Sequence, residues 1–175
     1  SRAFHSNLLG EYEKYITGYF GYDKVLPMNT GVEAVETAIK LARHWGYKVK
    51  SIEQNRAKII VCSNNFHGRT TGVISFSNDS TATTDFGPFI PGYETIPFND
   101  LVALEKALQD RNVVAFMFEP IQGEAGVVVP DEGYYTGVRI LCKEYNVLMV
   151  ADEIQSGLCR TGNMLAYEKK KVRPD

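Results

Sequence analysis

Apolar positions along the chain follow two different periods. Between Thr30 and about Lys48 they recur at Val32, Val35, Ile39, Ala42 and Trp45 or Gly46, the spacing of one helical face. Thr30-Gly31-Val32-Glu33 opens this stretch as a capping box, in which the threonine hydroxyl and the glutamate carboxylate satisfy orphan amides. Leu8 to Phe20 carries the same period through Leu9, Tyr12 and Ile16. Two shorter helices are predicted, Asp100 to Leu108 with Asn99 as its cap, and Gly133 to Tyr145. Val113 to Phe118 and Val147 to Ala151 are unbroken apolar runs of strand length, Lys58 to Ser63 reads as a buried strand, and Tyr93 to Pro97 reads as a short strand. Residues 77 to 92, rich in Ser, Thr, Gly and Pro, read as a long loop.

Continuous apolar strands alternating with helices predict an α/β fold, a mainly parallel sheet between helices. In such sheets ligands bind beyond the carboxyl ends of the strands. The 175 residues fit one domain or a piece of one. Ser1-Arg2-Ala3-Phe4-His5 is neither an initiator methionine nor a signal peptide, and Val172-Arg173-Pro174-Asp175 ends in a polar stretch. An internal piece of a longer protein is therefore expected.

Composition narrows the partners. Nineteen basic and 21 acidic residues give a net charge of -2, without the basic footprint of a nucleic-acid or anionic-membrane binder. No apolar run approaches the roughly 18 residues of a membrane span. Cys62, Cys142 and Cys159 are far apart and suggest neither a zinc site nor a disulfide framework. A small-molecule substrate, with no nucleic acid and no membrane, is the expectation.

Chemistry concentrates at three places after strands or at a helix start. Gly31 and Val32 begin a helix, where free amides and a partial positive charge suit a phosphate. The same residues would also serve an ordinary capped helix. Phe66-His67-Gly68-Arg69 follows a strand: Phe66 suits stacking on a flat group, and Arg69 suits bidentate capture of a carboxylate. A packed ring and a solvated arginine are the alternative. His67, with no partner evident in the sequence, reads as a positioning or stacking residue rather than a base. Asp152 and Glu153 stand at the tip of a very apolar strand, where a carboxylate needs a partner or a cation. Asp152 suits a protonated ring nitrogen. Metal binding competes for the Asp-Glu pair, but no metal is expected. The chain has neither a Walker A motif nor Gly-x-Gly-x-x-Gly, so nucleotide chemistry is poorly supported.

Together these stretches resemble the class III pyridoxal-phosphate aminotransferases. The resemblance rests on Thr30-Gly31-Val32-Glu33-Ala34, Asn65-Phe66-His67-Gly68-Arg69-Thr70, Glu119-Pro120-Ile121-Gln122-Gly123-Glu124-Ala125-Gly126 and Ala151-Asp152-Glu153-Ile154-Gln155-Ser156-Gly157. It covers nearly the whole chain. Within the family, Val25 to Ala34 and Gly126 to Asp131 look most similar to the branch that acts on ornithine.

The resemblance implies the large domain of the fold type I transferases, with residues 1–175 as its central part and the small domain outside the chain. It implies pyridoxal 5'-phosphate as cofactor, held by the amides of Gly31 and Val32. Phe66 would stack on the ring, Asp152 would pair with the ring nitrogen, and Gln155 would bond near the phenolic oxygen or phosphate. Arg69 would take a substrate carboxylate, Glu124 would mask a later arginine until 2-oxoglutarate arrives, and Glu119 would support the cofactor. The family's Schiff-base lysine follows the aspartate by about thirty residues, which lies past Asp175. Lys169, Lys170 and Lys171 form a charged run expected to be solvated instead.

By the same resemblance the whole protein would transfer the terminal amine of ornithine to 2-oxoglutarate, giving glutamate 5-semialdehyde and glutamate. Acetylornithine or 4-aminobutyrate aminotransferase, or a non-catalytic cofactor-binding homologue, are the alternatives. This piece alone would be inactive. A homodimer is expected, because several of the ten tyrosines and nine phenylalanines fall between Phe66 and Phe98, in loops that by the resemblance would meet a partner subunit; packing of these rings under their own loop is the alternative. A cytoplasmic location is expected, with the mitochondrial matrix as alternative.

Overall fold

The computed structural model describes residues 5–170 and 172–175. Its centre is a four-stranded sheet of β1 (Lys58–Cys62), β2 (Tyr93–Ile96), β3 (Val113–Phe118) and β4 (Leu148–Ala151). The strands lie in the order β2-β1-β3-β4, and every pairing is parallel. The helices are α1 (Asn7–Phe20), α2 (Gly31–Lys48), α3 (Ser80–Thr83), α4 (Leu101–Leu108) and α5 (Tyr134–Glu144), with 3-10 turns at Val73–Phe76 and Ala166–Lys170.

The apolar runs form strands because both faces of the sheet are covered. Ile60, Cys62, Phe116, Phe118 and Met149 pack on one side with Leu104 and Leu108 of α4 and Val138 and Cys142 of α5. Ile59, Val61 and Met117 face the other side, against Val35, Ile39 and Ala42 of α2 and Phe76 of the first 3-10 turn. Side chains alternate with period two, as a pleated strand requires. One irregularity breaks it. Lys58 pairs with Val113 but Ile59 pairs with Ala115, so β3 carries an extra residue and Val114 and Ala115 face the same layer.

The capping box of α2 forms as the sequence predicts: Glu33 N donates to Thr30 Oγ1 at 3.3 Å, and Thr30 N donates to Glu33 Oε2 at 3.0 Å. Two expectations are corrected. The cap of α4 is Asp100, whose Oδ1 accepts from Ala103 N at 2.8 Å. Asn99 takes φ 64° and instead pairs its amide with Asp131. The stretch 77–92 is not all loop, since Asp79 accepts from Thr81 N and starts the one-turn α3. The stripe Leu9, Tyr12, Ile16 exists on α1, but no residue of that helix is buried in this chain. The run Lys169, Lys170 and Lys171 lies outside the described residues as far as its side chains are concerned.

Candidate functional site

The sheet order makes β1, β3 and β4 neighbours, so their carboxyl ends converge. The loop after β1, Glu119 after β3 and Asp152 after β4 meet there beside the first turn of α2. Together they enclose a cavity of about 450 Å³. Every site residue predicted from the sequence lines it: Gly31, Val32, Phe66, Arg69, Glu119, Glu124, Asp152 and Gln155. His67, Gly68, Ile121 and Ile154 complete the wall. An adjoining cavity of about 840 Å³ shares Phe66 to Arg69 and Glu124.

The loop that presents Phe66 is anchored from below. Asn65 is buried, and its Nδ2 donates to the carbonyls of Cys62 at 2.6 Å and Phe76 at 3.1 Å. Phe66 N donates to Glu119 Oε2 at 3.0 Å. Phe66 itself stays 36% exposed, with one face open and the Arg69 guanidinium 5.0 Å from its ring centroid. Gly68 lets the loop turn at φ 124° while its backbone lies against Val32 of α2.

Asp152 continues the sheet, its amide donating to Phe118 O at 2.8 Å. Its Oδ1 accepts from Ile154 N at 3.1 Å, and its Oδ2 lies 2.7 Å from His67 Nδ1. Both side chains are almost fully buried, at 6% and 0% exposure. Glu119 is buried nearby, and that burial pushes its carboxyl above the usual range, partly offset by the Phe66 amide. Gln155 Nε2 donates to Glu124 Oε1 at 3.1 Å. Gln155 rests directly on Gly123, where a Cβ would stand 1.5 Å from its Oε1. Glu153, the second carboxylate of the strand tip, turns away to accept from Ser156 Oγ and Tyr167 N. The tip thus offers the cavity one carboxylate, not two.

At the start of α2 the capping box serves the amides of Asn29, Thr30 and Glu33. The amides of Gly31 and Val32 meet no protein acceptor among the described residues, and they stand at the positive end of an 18-residue helix. Such a terminus is built for an anion such as phosphate. Among the described residues no group of three His, Cys, Asp or Glu could hold a metal ion, and no helix is long and apolar enough to cross a membrane.

The sequence marks His67 as a positioning or stacking residue without showing its partner, because Asp152 is 85 residues away in the chain. Ile154 was passed over as one more apolar residue, yet it covers Gly31 closely and walls the cavity. Its mark was an apolar residue two beyond the carboxylate, outside the strand.

The sequence model of the aminotransferase class-III family matches residues 1–175. The chain is 65% identical to the mitochondrial ornithine aminotransferase of Rattus norvegicus, over all of this chain and 40% of that protein. It is 59% identical to the probable mitochondrial ornithine aminotransferase of Caenorhabditis elegans, over all of this chain and 42% of that protein. A crystal structure of ornithine aminotransferase from Toxoplasma gondii, with pyridoxal phosphate at partial occupancy in its active site, matches with a TM-score of 0.98 and 50% identity. That match covers 99% of this chain and 41% of the other. The chain thus spans about two fifths of the length of these relatives.

Proposed function

The chain belongs to the class III aminotransferase family, and we propose that the whole protein is a pyridoxal-phosphate-dependent ornithine 5-aminotransferase. It would transfer the terminal amine of ornithine to 2-oxoglutarate, giving glutamate 5-semialdehyde and glutamate. The observation that carries this reading is 65% identity, across every residue of the chain, to a protein of that activity. Residues 1–175 would be the central part of the cofactor-binding large domain.

The cavity fits the cofactor. Two unspent amides suit its phosphate, the apolar Phe66, Ile121 and Ile154 suit a flat ring, and a buried carboxylate suits a ring nitrogen. When bound, the group supplies an electron sink for charge left at the substrate carbon. Gly31 and Val32 would hold the phosphate through their N–H groups. Phe66 would lie on the ring, its position fixed by the Phe66 N–H bond to Glu119. Asp152 would hold a proton at the ring nitrogen. Gln155 would donate to the phenolic oxygen or phosphate, with the second hydrogen of the amide that now bonds Glu124.

On the substrate side, Arg69 would clamp a carboxylate through its guanidinium fork. Glu124 would pair with an arginine from later in the protein until 2-oxoglutarate displaces it. The adjoining 840 Å³ cavity, which touches both Arg69 and Glu124, gives that substrate room. The lysine that the family joins to the cofactor would come from beyond Asp175.

Two further readings belong to the whole protein. A homodimer is supported by Phe86, Phe89 and Ile90, which lie exposed together in one loop. Of the two compartments considered, the mitochondrion is favoured over the cytoplasm by the names of the rat and nematode relatives. The deciding experiment is an assay of the full-length protein with ornithine, N-acetylornithine and 4-aminobutyrate, each with 2-oxoglutarate. Ornithine should give the highest kcat/KM. A higher value for either competitor, or no turnover with any of them, would overturn the assignment.

A further inference from the structure

We propose that Glu36 is a positioning residue for the substrate: through the Thr70 hydroxyl it seats the segment 68–72 on α2 and thereby sets Arg69 for a substrate carboxylate. The role rests on the reading above in which Arg69 takes that carboxylate.

Glu36 stands on α2 one turn beyond Val32, on the same face of the helix. The segment 68–72 is tied to that face at every second residue. Gly68 lies against Val32. Thr70 Oγ1 donates to Glu36 Oε1 at 2.5 Å. Gly72 closes over the same carboxylate, so near that a Cβ there would collide with both of its oxygens. Arg69 is thus held between two residues seated on the helix. Its guanidinium lines both cavities, beside the Phe66 ring.

Charge pairing does not account for the placement of Glu36. It is half-buried, and among the described residues no basic side chain pairs with it. A carboxylate taken from water without a cation needs its hydrogen bonds. Thr70 supplies one, and its hydroxyl is used twice. It accepts from Val73 N at 3.4 Å, at the start of the 3-10 turn, and its own hydrogen goes to Glu36. Neither Glu36, Thr70 nor Gly72 lines a cavity, so their effect on a ligand passes through their neighbour Arg69. The Phe66 half of the loop has its own anchors, the Asn65 amide on Cys62 O and the Glu119 carboxylate. Loss of the Glu36 bond should therefore loosen Arg69 and leave Phe66 in place. Affinity for a carboxylate then falls with the fraction of molecules in which the guanidinium is in position.

The test uses the full-length protein carrying pyridoxamine 5'-phosphate, which already holds an amino group, so that an amine ligand binds without reacting. Calorimetry compares two ligands with a terminal amine, 5-aminopentanoate, which has a carboxylate, and 1,4-diaminobutane, which has none. Thr70→Val keeps the shape and loses the hydroxyl, and Glu36→Ala loses the acceptor. Each should weaken 5-aminopentanoate about fivefold or more, within the worth of a hydrogen bond to a charged group, and leave 1,4-diaminobutane unchanged. The double variant should lose no more than either alone, because both changes cut the same bond. Glu36→Gln keeps the oxygen acceptor and Thr70→Ser keeps the hydroxyl, and both should bind 5-aminopentanoate nearly as the wild type does. Equal weakening of both ligands, weakening of neither, or losses that add in the double variant would overturn the role. If Glu36→Ala does not fold, Thr70→Val against Thr70→Ser decides. Arg69→Lys separates this role from the reading beneath it. If Arg69→Lys leaves 5-aminopentanoate binding intact, Arg69 does not hold the carboxylate and the role falls with that reading. If Arg69→Lys weakens it and Thr70→Val does not, the role of Glu36 falls alone.

Discussion

Gly68→Ala is the substitution that most directly probes how the candidate site is assembled. Gly68 sits at φ 124°, outside the region open to residues with a Cβ. Holding alanine there costs about 1–3 kcal/mol of backbone strain. The new methyl would also stand 2.5 Å from Val32 Cγ2 and 2.8 Å from Val32 Cβ. Overpacking of this kind costs about 1–3 kcal/mol. The two terms together predict a loss of about 2–6 kcal/mol. They can be separated in part, because Val32→Ala removes Cγ2, the nearer of the two colliding atoms, and leaves Cβ in place. Alone it should cost about 1 kcal/mol, as Val32 is only partly buried. In the double variant the contact with Cγ2 is relieved, so the two losses should fall short of additive by about 1–2 kcal/mol. What remains is the strain at φ 124° and the contact with the Cβ of residue 32. Urea unfolding of the full-length protein measures all four corners of the cycle, and pyridoxal phosphate affinity measures the consequence for the first turn of α2. An unchanged unfolding midpoint for Gly68→Ala would refute the argument. Strict additivity with Val32→Ala would show that loop and helix do not touch as described.

Burial raises the Glu119 carboxyl, so folding takes up a proton there, and its contribution to stability is present at low pH and lost as pH rises through the ordinary carboxylate range and then the raised value. Glu119→Gln keeps the acceptor for Phe66 N–H without the charge, so its melting temperature should rise relative to wild type as pH increases from about 4; a gap that stays constant or narrows as pH rises contradicts this. Arg69→Lys retains charge but loses the fork, and should raise the KM for ornithine about tenfold or more; wild-type saturation would mean that Arg69 does not bind the carboxylate. Asp152→Asn keeps the shape of the side chain and should cost about 10²-fold or more in turnover by the full-length protein, and near-normal rates would remove Asp152 from the reaction.

What the sequence discloses and what it withholds divide along physical lines. β3 was legible because a strand buried on both faces leaves no polar positions, and Val113 to Phe118 is buried throughout. The start of α2 was legible because Thr30 and Glu33 carry their own partner, three residues away. The cap of α4 was misjudged for a local reason: Asn99 and Asp100 are equally good caps in isolation. A distant residue, Asp131, engages Asn99 and leaves the role to Asp100. The stripe on α1 was read correctly as a pattern, but a pattern does not contain what covers it. The site divides in the same way. Phe66, Asp152 and the amides of Gly31 and Val32 announce themselves by residue type at strand ends and at a helix start. The His67 contact with Asp152 depends on β1 and β4 lying on either side of β3, which no local signal encodes. Only the folded sheet brings the imidazole to the carboxylate, so the residue types were visible in the sequence while their pairing was a property of the topology.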